Sequence, residues 1–230
     1  MDALELLGLA LAPSAAIILF IYLKDKHERE PVSLLVISFF YGIFSILITL
    51  VISLPVNMFI ILRANDVVDE FYAAFFKVAL VEEFSKFFFV RFILFRNKHF
   101  NEPFDGIVYA VMVSMGFATL ENVLYVFEFG YETAILRMFT AVPAHATFGV
   151  LMGYFLGKAK FTHKKKFLYG FVALLAATLF HGSYDYFWFI ANVKGIWTGI
   201  WMGAILSLVI GLILSRNAIR LHQQASPFIR

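Results

Sequence analysis

Apolar positions along this chain fall in long uninterrupted runs, not in alternating or scattered patterns. They cover approximately 3–23, 32–54 (extendable to 62), 71–95, 105–129, 133–157, 167–190 and 196–215. Each run is close to the roughly 20 residues an α-helix needs to cross the hydrocarbon layer of a bilayer. The pattern predicts an all-α polytopic bundle of about seven transmembrane helices. A transmembrane β-barrel is excluded, because its strands alternate apolar and polar residues. Pro55 is expected to kink or end the second helix, since it removes a backbone donor and crowds the preceding turn. Loops are short and no repeat or low-complexity tract intervenes, so residues 1–230 are expected to form a single integral membrane domain.

Composition strengthens this reading. The chain is 61% hydrophobic and only 15% charged, which leaves too few polar side chains to cover a water-facing surface. Without cysteine there is no disulfide scaffold, and a net charge of +3 makes no case for nucleic acid. The expected surroundings are a lipid bilayer, with a multi-pass location in the cell membrane.

The basic residues then orient the bundle. Lys24, Lys26, Arg29, Arg96, Lys98, Lys158, Lys160, Lys164, Lys165, Lys166, Arg216, Arg220 and Arg230 fall on one side of the predicted spans. Only Arg63, Arg137 and Lys194 fall on the other. The positive-inside rule places the N-terminus outside and the C-terminus in the cytoplasm. The first run is not expected to be a cleaved signal peptide. Asp2 and Glu5 stand where a basic region would be, and the run is too long.

A few ionisable residues remain inside the runs, where each costs several kcal/mol and calls for a partner or a cavity. Glu82, Glu83 and Lys86 lie in the third, Glu121 and Asn122 in the fourth, His145 in the fifth, and His181 and Asp185 in the sixth. At about 1.5 Å per residue, all fall at or just outside the midplane, so they can share one layer. Glu82 and Lys86 are four residues apart on one helix face, whereas Glu83 is turned by about 100° toward other partners. His181 and Asp185 are also four apart, which lets the carboxylate orient the imidazole. Gly149 and Gly182 leave room for close helix approach beside the histidines. Arg137, Lys77, Arg91 and Glu128 are near run ends and are read as snorkelling residues. Four carboxylates against one lysine leave an uncompensated charge in a low-dielectric layer. Protonation, histidine cations or a bound metal ion can answer it.

These segments resemble a known family. VEEFSK, GFATLENVLY, PAHATFGVLMGYFLG and HGSYDYFW, with DKHEREP (25–31) and EPFDGIVYA (102–110), together are similar to the PrsW-type intramembrane proteases. The resemblance extends over a motif-bearing core of about 25–190. It is related in logic to the CAAX endopeptidase and Abi group, from which Lys86 and Glu121 depart. The resemblance implies a membrane endopeptidase. Its substrate class would be single-span membrane proteins of the anti-sigma-factor type, cut near the extracytoplasmic face.

Two mechanisms fit the residues. In one, Glu82 or Glu83 is a general base tuned by Lys86, with His145 and His181 stabilising the oxyanion or protonating the amine. In the other, Glu121, His145 and His181 hold zinc or another divalent metal, Glu82 or Glu83 is the base, and Asp185 supports His181. Asn122 is a supporting residue in both. A proton- or cation-coupled transporter is the alternative that the same Glu/His/Asp cluster allows.

Overall fold

The computed structural model describes residues 3–63, 65–162 and 164–229; Asp2, used above against a signal peptide, and Arg230, used to read orientation, lie outside them. The described residues form helices. These are α1 (Ala3–Lys24), α2 (Val32–Phe59), a composite rod α3 (67–96), α4 (Pro103–Phe129), α5 (Tyr131–Phe161), α6 (Lys166–Ile190) and α7 (Thr198–Gln224). Among the described residues, six are long and apolar enough to cross a membrane, namely all except α3. The chain is thus a multi-pass membrane protein. Large apolar side chains such as Leu54, Phe59, Phe139 and Phe167 stand outward on its surface.

The third expected span is helical but not uniform. Its α-helical stretches Val67–Tyr72 and Leu80–Phe88 are separated by π turns at Ala73–Ala79 and followed by further π turns at Phe89–Ile93. A π turn adds a residue to the turn and so re-aims everything after it. Glu82, Glu83 and Lys86 all sit on the short α-helical stretch between the two π segments. Asp66 starts the rod by accepting from the backbone N–H groups of Val68 and Asp69 at 2.9 and 3.2 Å. In α2, the helix continues through Pro55 to Phe59, so the proline does not end it.

α4 is the central helix, packed by α1, α2 and α5, while α6 and α7 close on α5. Backbone-to-backbone approach sets these crossings. A Cβ on Gly116 would lie 1.9 Å from the Phe39 carbonyl oxygen, and one on Gly42 2.0 Å from that of Val113. Gly149 and Gly182 also face close neighbours, as their sequence positions suggest. A Cβ there would meet Ser114 Oγ at 2.7 Å and the Phe75 ring at 2.4 Å, respectively. Without a hydrophobic force between helices in lipid, such close contact is a main source of association. The α4–α5 corner turns at Gly130, whose φ of 82° suits glycine. α5 is broken at Thr140, five residues before His145.

At the opposite end from that corner, the two outer motifs meet. Asp25 and Glu30 of the α1–α2 loop and Glu102 and Asp105 at the start of α4 are all buried. Asp25 accepts from the Glu30 N–H at 3.0 Å, and Asp105 accepts from the Asn101 and Glu102 N–H groups at 2.7 Å each. Tyr109 donates to Glu30, and Ser226 donates to Glu102. None of the four carboxyls has a lysine, arginine or histidine nitrogen within 4.0 Å among the described residues. Burial pushes Asp25 up to about 6 and Glu30 up to about 7. The motifs therefore fasten the loop, α4 and the C-terminal segment together, away from the intramembrane charges.

Candidate active site

The third, fourth, fifth and sixth expected spans deliver their polar residues to one place. α3 contributes Glu82, Glu83 and Lys86, α4 contributes Glu121, α5 contributes His145, and α6 contributes His181 and Asp185. Lys86 Nζ is 2.7 Å from Glu83 Oε1 and 3.6 Å from Glu82 Oε2. The tighter pair is therefore the i,i+3 one, with Glu82 the looser partner. The lysine also sits 4.0 Å from the Phe117 ring centroid and 3.3 Å from His145 Nδ1. An ammonium only donates, so Nδ1 accepts and Nε2 carries the proton of that ring. Nε2 lies 3.1 Å from Glu121 Oε2, which receives that N–H.

Glu83 is completely buried and holds two groups at once, Lys86 and His181 Nδ1, the latter at 2.8 Å. A carboxylate only accepts, so Nδ1 donates to Glu83, and the same rule makes Nε2 of His181 a donor to the carboxylate it faces. That nitrogen faces Asp185 Oδ2 at 3.2 Å and Glu82 Oε2 at 3.9 Å. Phe148 stacks on the His181 ring at 4.7 Å, fixing its plane.

Arg137 is the residue that sequence reasoning set aside. Its guanidinium donates to Glu121 Oε2 at 2.6 Å and to Asn122 Oδ1 at 2.9 Å, over the Tyr125 ring at 4.1 Å. Asn122 in turn donates to the Ala10 carbonyl oxygen at 2.8 Å, tying α1 to the site. The available signal was a cation within the fifth run, at the depth of a Glu–Asn pair that otherwise had no partner.

Glu82, Glu121, Arg137, His145, His181 and Asp185 line a cavity of about 450 Å³ that is rimmed by Tyr125, Phe129, Trp188 and Phe189. Glu83 and Lys86 lie behind its wall. Among the described residues, Glu82, His145 and His181 bring three possible metal-ligand atoms within 4.8 Å of one another. The residues fit a divalent cation. Glu82 Oε2 is a buried acceptor with no hydrogen-bond donor, 3.9 Å from His181 Nε2. Two imidazoles and a carboxylate are also the donor set that zinc accepts. Both nitrogens of His145 and both of His181 already face partners, so serving as a ligand requires each ring to give one of them up. Glu121, expected in the metal set, is instead held by Arg137 and His145 through a single oxygen.

Comparisons with known proteins agree with this geometry. The model of a family described as PrsW family intramembrane metalloprotease matches residues 30–214. A protein named Protease PrsW from Geobacillus kaustophilus is 40% identical over 182 residues, covering 79% of either chain. Proteins of the same name from Bacillus subtilis and Oceanobacillus iheyensis are 36% and 41% identical, over 79% and 80% of this chain and 81% and 82% of their own. No solved structure matches the chain.

Proposed function

Because the chain belongs to the PrsW family of intramembrane metalloproteases, we propose how its own residues divide the work of cutting a membrane-embedded protein. Glu82, His145 and His181 would hold the divalent ion; when bound, such an ion would polarise the scissile carbonyl and acidify a water molecule. Glu121 is the proton carrier. Arg137 and His145 both engage its Oε2, leaving Oε1 outside either bond, and the residue lines the cavity. Glu121 takes a proton as water oxygen adds to the carbonyl carbon, and returns it to the amine nitrogen as the C–N bond breaks. Arg137 is fixed beside the cavity as a cation for the developing oxyanion. Glu83 anchors His181 through Nδ1, which leaves Nε2 as the nitrogen that would turn from Asp185 to the ion, and Lys86 balances the carboxylates from behind.

The substrate in this reading is a single-span membrane protein of the anti-sigma-factor class. Its cut lies near the extracytoplasmic boundary, with the N-terminus of the protease outside. Two features support that side. The cavity is rimmed by Phe129, Leu136 and Phe189 near the α4–α5 corner and the end of α6, whereas the basic clusters at Lys24 and Arg216 lie at the other end.

The observation that carries the proposal is the convergence of Glu82, His145 and His181 on a cavity wall inside the bundle. The test is a purified, reconstituted protease with a single-span reporter, assayed after chelation and metal add-back, with the cut mapped by mass spectrometry. Cleavage should vanish and return with the metal, and the cut should fall in the extracytoplasmic third of the reporter's span. Full activity after verified metal removal defeats the ligand assignment, and a cut in the cytoplasmic half defeats the orientation.

A further inference from the structure

A second and larger cavity, of about 670 Å³, lies between α1, α4, α5 and α7, on walls separate from those of the catalytic one. Its chemistry is graded along its length. Ile17, Val111, Val150 and Leu212 line the apolar part, and Ser215 follows one turn along α7 from Leu212. Lys24, Arg216 and Arg220 stand at the end. On α7, Arg220 is about 7 Å beyond Ser215, at 1.5 Å rise per residue. Apolar wall, hydroxyl and cations thus appear in the order of acyl chain, ester and phosphate in a phospholipid.

Two observations go beyond the usual excess of basic residues at one membrane face. Ser215 is only 6% exposed, yet its Oγ has no hydrogen-bond partner, although it lines the groove. A serine in a helix ordinarily returns its hydroxyl to a backbone carbonyl one turn back, so this donor is left for something else. The rim is also built in advance: Gln223 Nε2 donates to the Lys24 carbonyl oxygen at 2.5 Å, fastening the end of α7 to the end of α1. Lys24, Arg216 and Arg220 have no carboxylate within 4.0 Å among the described residues, so their charge is not cancelled locally.

We propose that this groove is a binding site for one phospholipid with an anionic headgroup. Its phosphate sits among Lys24, Arg216 and Arg220, an ester oxygen accepts from Ser215, and an acyl chain runs along Leu212, Val150 and Ile17. Arginine suits this place, because its planar fork presents paired donors to phosphate oxygens. The site is independent of the catalytic reading and does not require the protease assignment.

The full chain, purified in nonionic detergent, is exposed to equal amounts of dioleoylphosphatidylglycerol and dioleoylphosphatidylcholine and weighed by native mass spectrometry. One phosphatidylglycerol should remain per chain, preferred by about tenfold or more, the scale expected when two or three basic residues act on one headgroup. Arg216→Gln with Arg220→Gln should abolish the preference, and Ser215→Ala should weaken retention. Leu212→Trp, which fills the apolar slot without changing charge, should reduce retention of both lipids. Lys164→Gln with Lys165→Gln, basic residues outside the groove, should change nothing. Equal retention of the two lipids overturns the proposal. So does a loss in the Lys164/Lys165 variant equal to that in the Arg216/Arg220 variant, or unchanged retention in Leu212→Trp. Melting curves confirm that each variant is folded, which the surface positions of Arg216, Arg220 and Leu212 favour.

Discussion

Replacing Arg137 by methionine tests the site at its least expected member. The substitution keeps the length and apolar stem of the side chain but removes the donors to Glu121 Oε2 and Asn122 Oδ1 and the cation above Tyr125. Both arginine and glutamate are largely shielded, with side-chain exposures of 13% and 19%, so solvent replaces little of what is lost. A hydrogen bond to a charged group contributes about 1.5–3 kcal/mol, and a partner left unpaired costs a similar amount. The two figures describe the same loss and do not add, so the destabilisation should be about 1.5–3 kcal/mol. The effect on catalysis should be larger than folding alone implies. Glu121 loses the shorter of its two anchors, and a displacement of about 1 Å of a reacting group costs on the order of 100-fold in rate. Initial rates on the single-span reporter in proteoliposomes, at temperatures well below melting, should show kcat down about 100-fold with KM little changed. Arg137→Lys should recover part of kcat, because an ammonium can reach Glu121 but cannot grip Glu121 and Asn122 together. Wild-type kcat in Arg137→Met, at a normal melting temperature, would refute the argument that this clamp positions Glu121.

Other expectations follow from the same geometry. Glu82→Gln and His181→Ala should each lower bound divalent metal to background in elemental analysis. Glu83→Gln, which disturbs only the orientation of His181 and Lys86, should weaken metal affinity by about 10–100-fold; wild-type metal content in all three contradicts the assigned ligand set. Gly116→Ala should destabilise strongly, by about 3 kcal/mol or more, because its Cβ would meet the Phe39 carbonyl at 1.9 Å and only helix separation relieves it. Gly8→Ala, with nothing within 4 Å, should leave the melting temperature unchanged or raised. The carboxyls joining the outer motifs predict a pH dependence. Asp25 and Glu30 bind protons more tightly in the folded than in the unfolded chain, at about 6 and about 7 against 3.8 and 4.5. Their contribution to stability is therefore greatest in acid and is lost as pH rises from about 4 through 7, by at most roughly 3 kcal/mol for Asp25. Thermal unfolding across that range should show the decline, and Asp25→Asn with Glu30→Gln should flatten it; an unchanged slope in that variant rejects the assignment.

Much of the architecture was legible in one dimension. Six of the expected spans are helices long and apolar enough to cross a membrane, because a run of about 20 apolar residues has few other stable states in lipid. The participants in the site were legible for the related reason that an ionisable residue in the membrane interior stands out against such a background. Glu82, Glu83, Lys86, Glu121, His145, His181 and Asp185 do meet, linked by contacts of 2.7–3.9 Å. The pairing among them was less legible. Spacing favoured Glu82 as the partner of Lys86, but Glu83 makes the 2.7 Å contact. Arg137 looked like an interfacial residue by its position in the run, yet it turns inward to Glu121.

Hydropathy determined which segments are helices, that they lie in a membrane, and how deep each polar residue sits, since depth follows from counting residues at a fixed rise per residue. Rotation about each helix axis was left to the tertiary structure. The π turns around Leu80–Phe88, the break at Thr140 and the glycine contact between α2 and α4 set that rotation. They decided that Glu83 faces Lys86 and His181, that Glu82 faces the cavity, and that Arg137 reaches Glu121. Depth is a property of each helix alone, whereas the facing of a side chain depends on every helix packed against it.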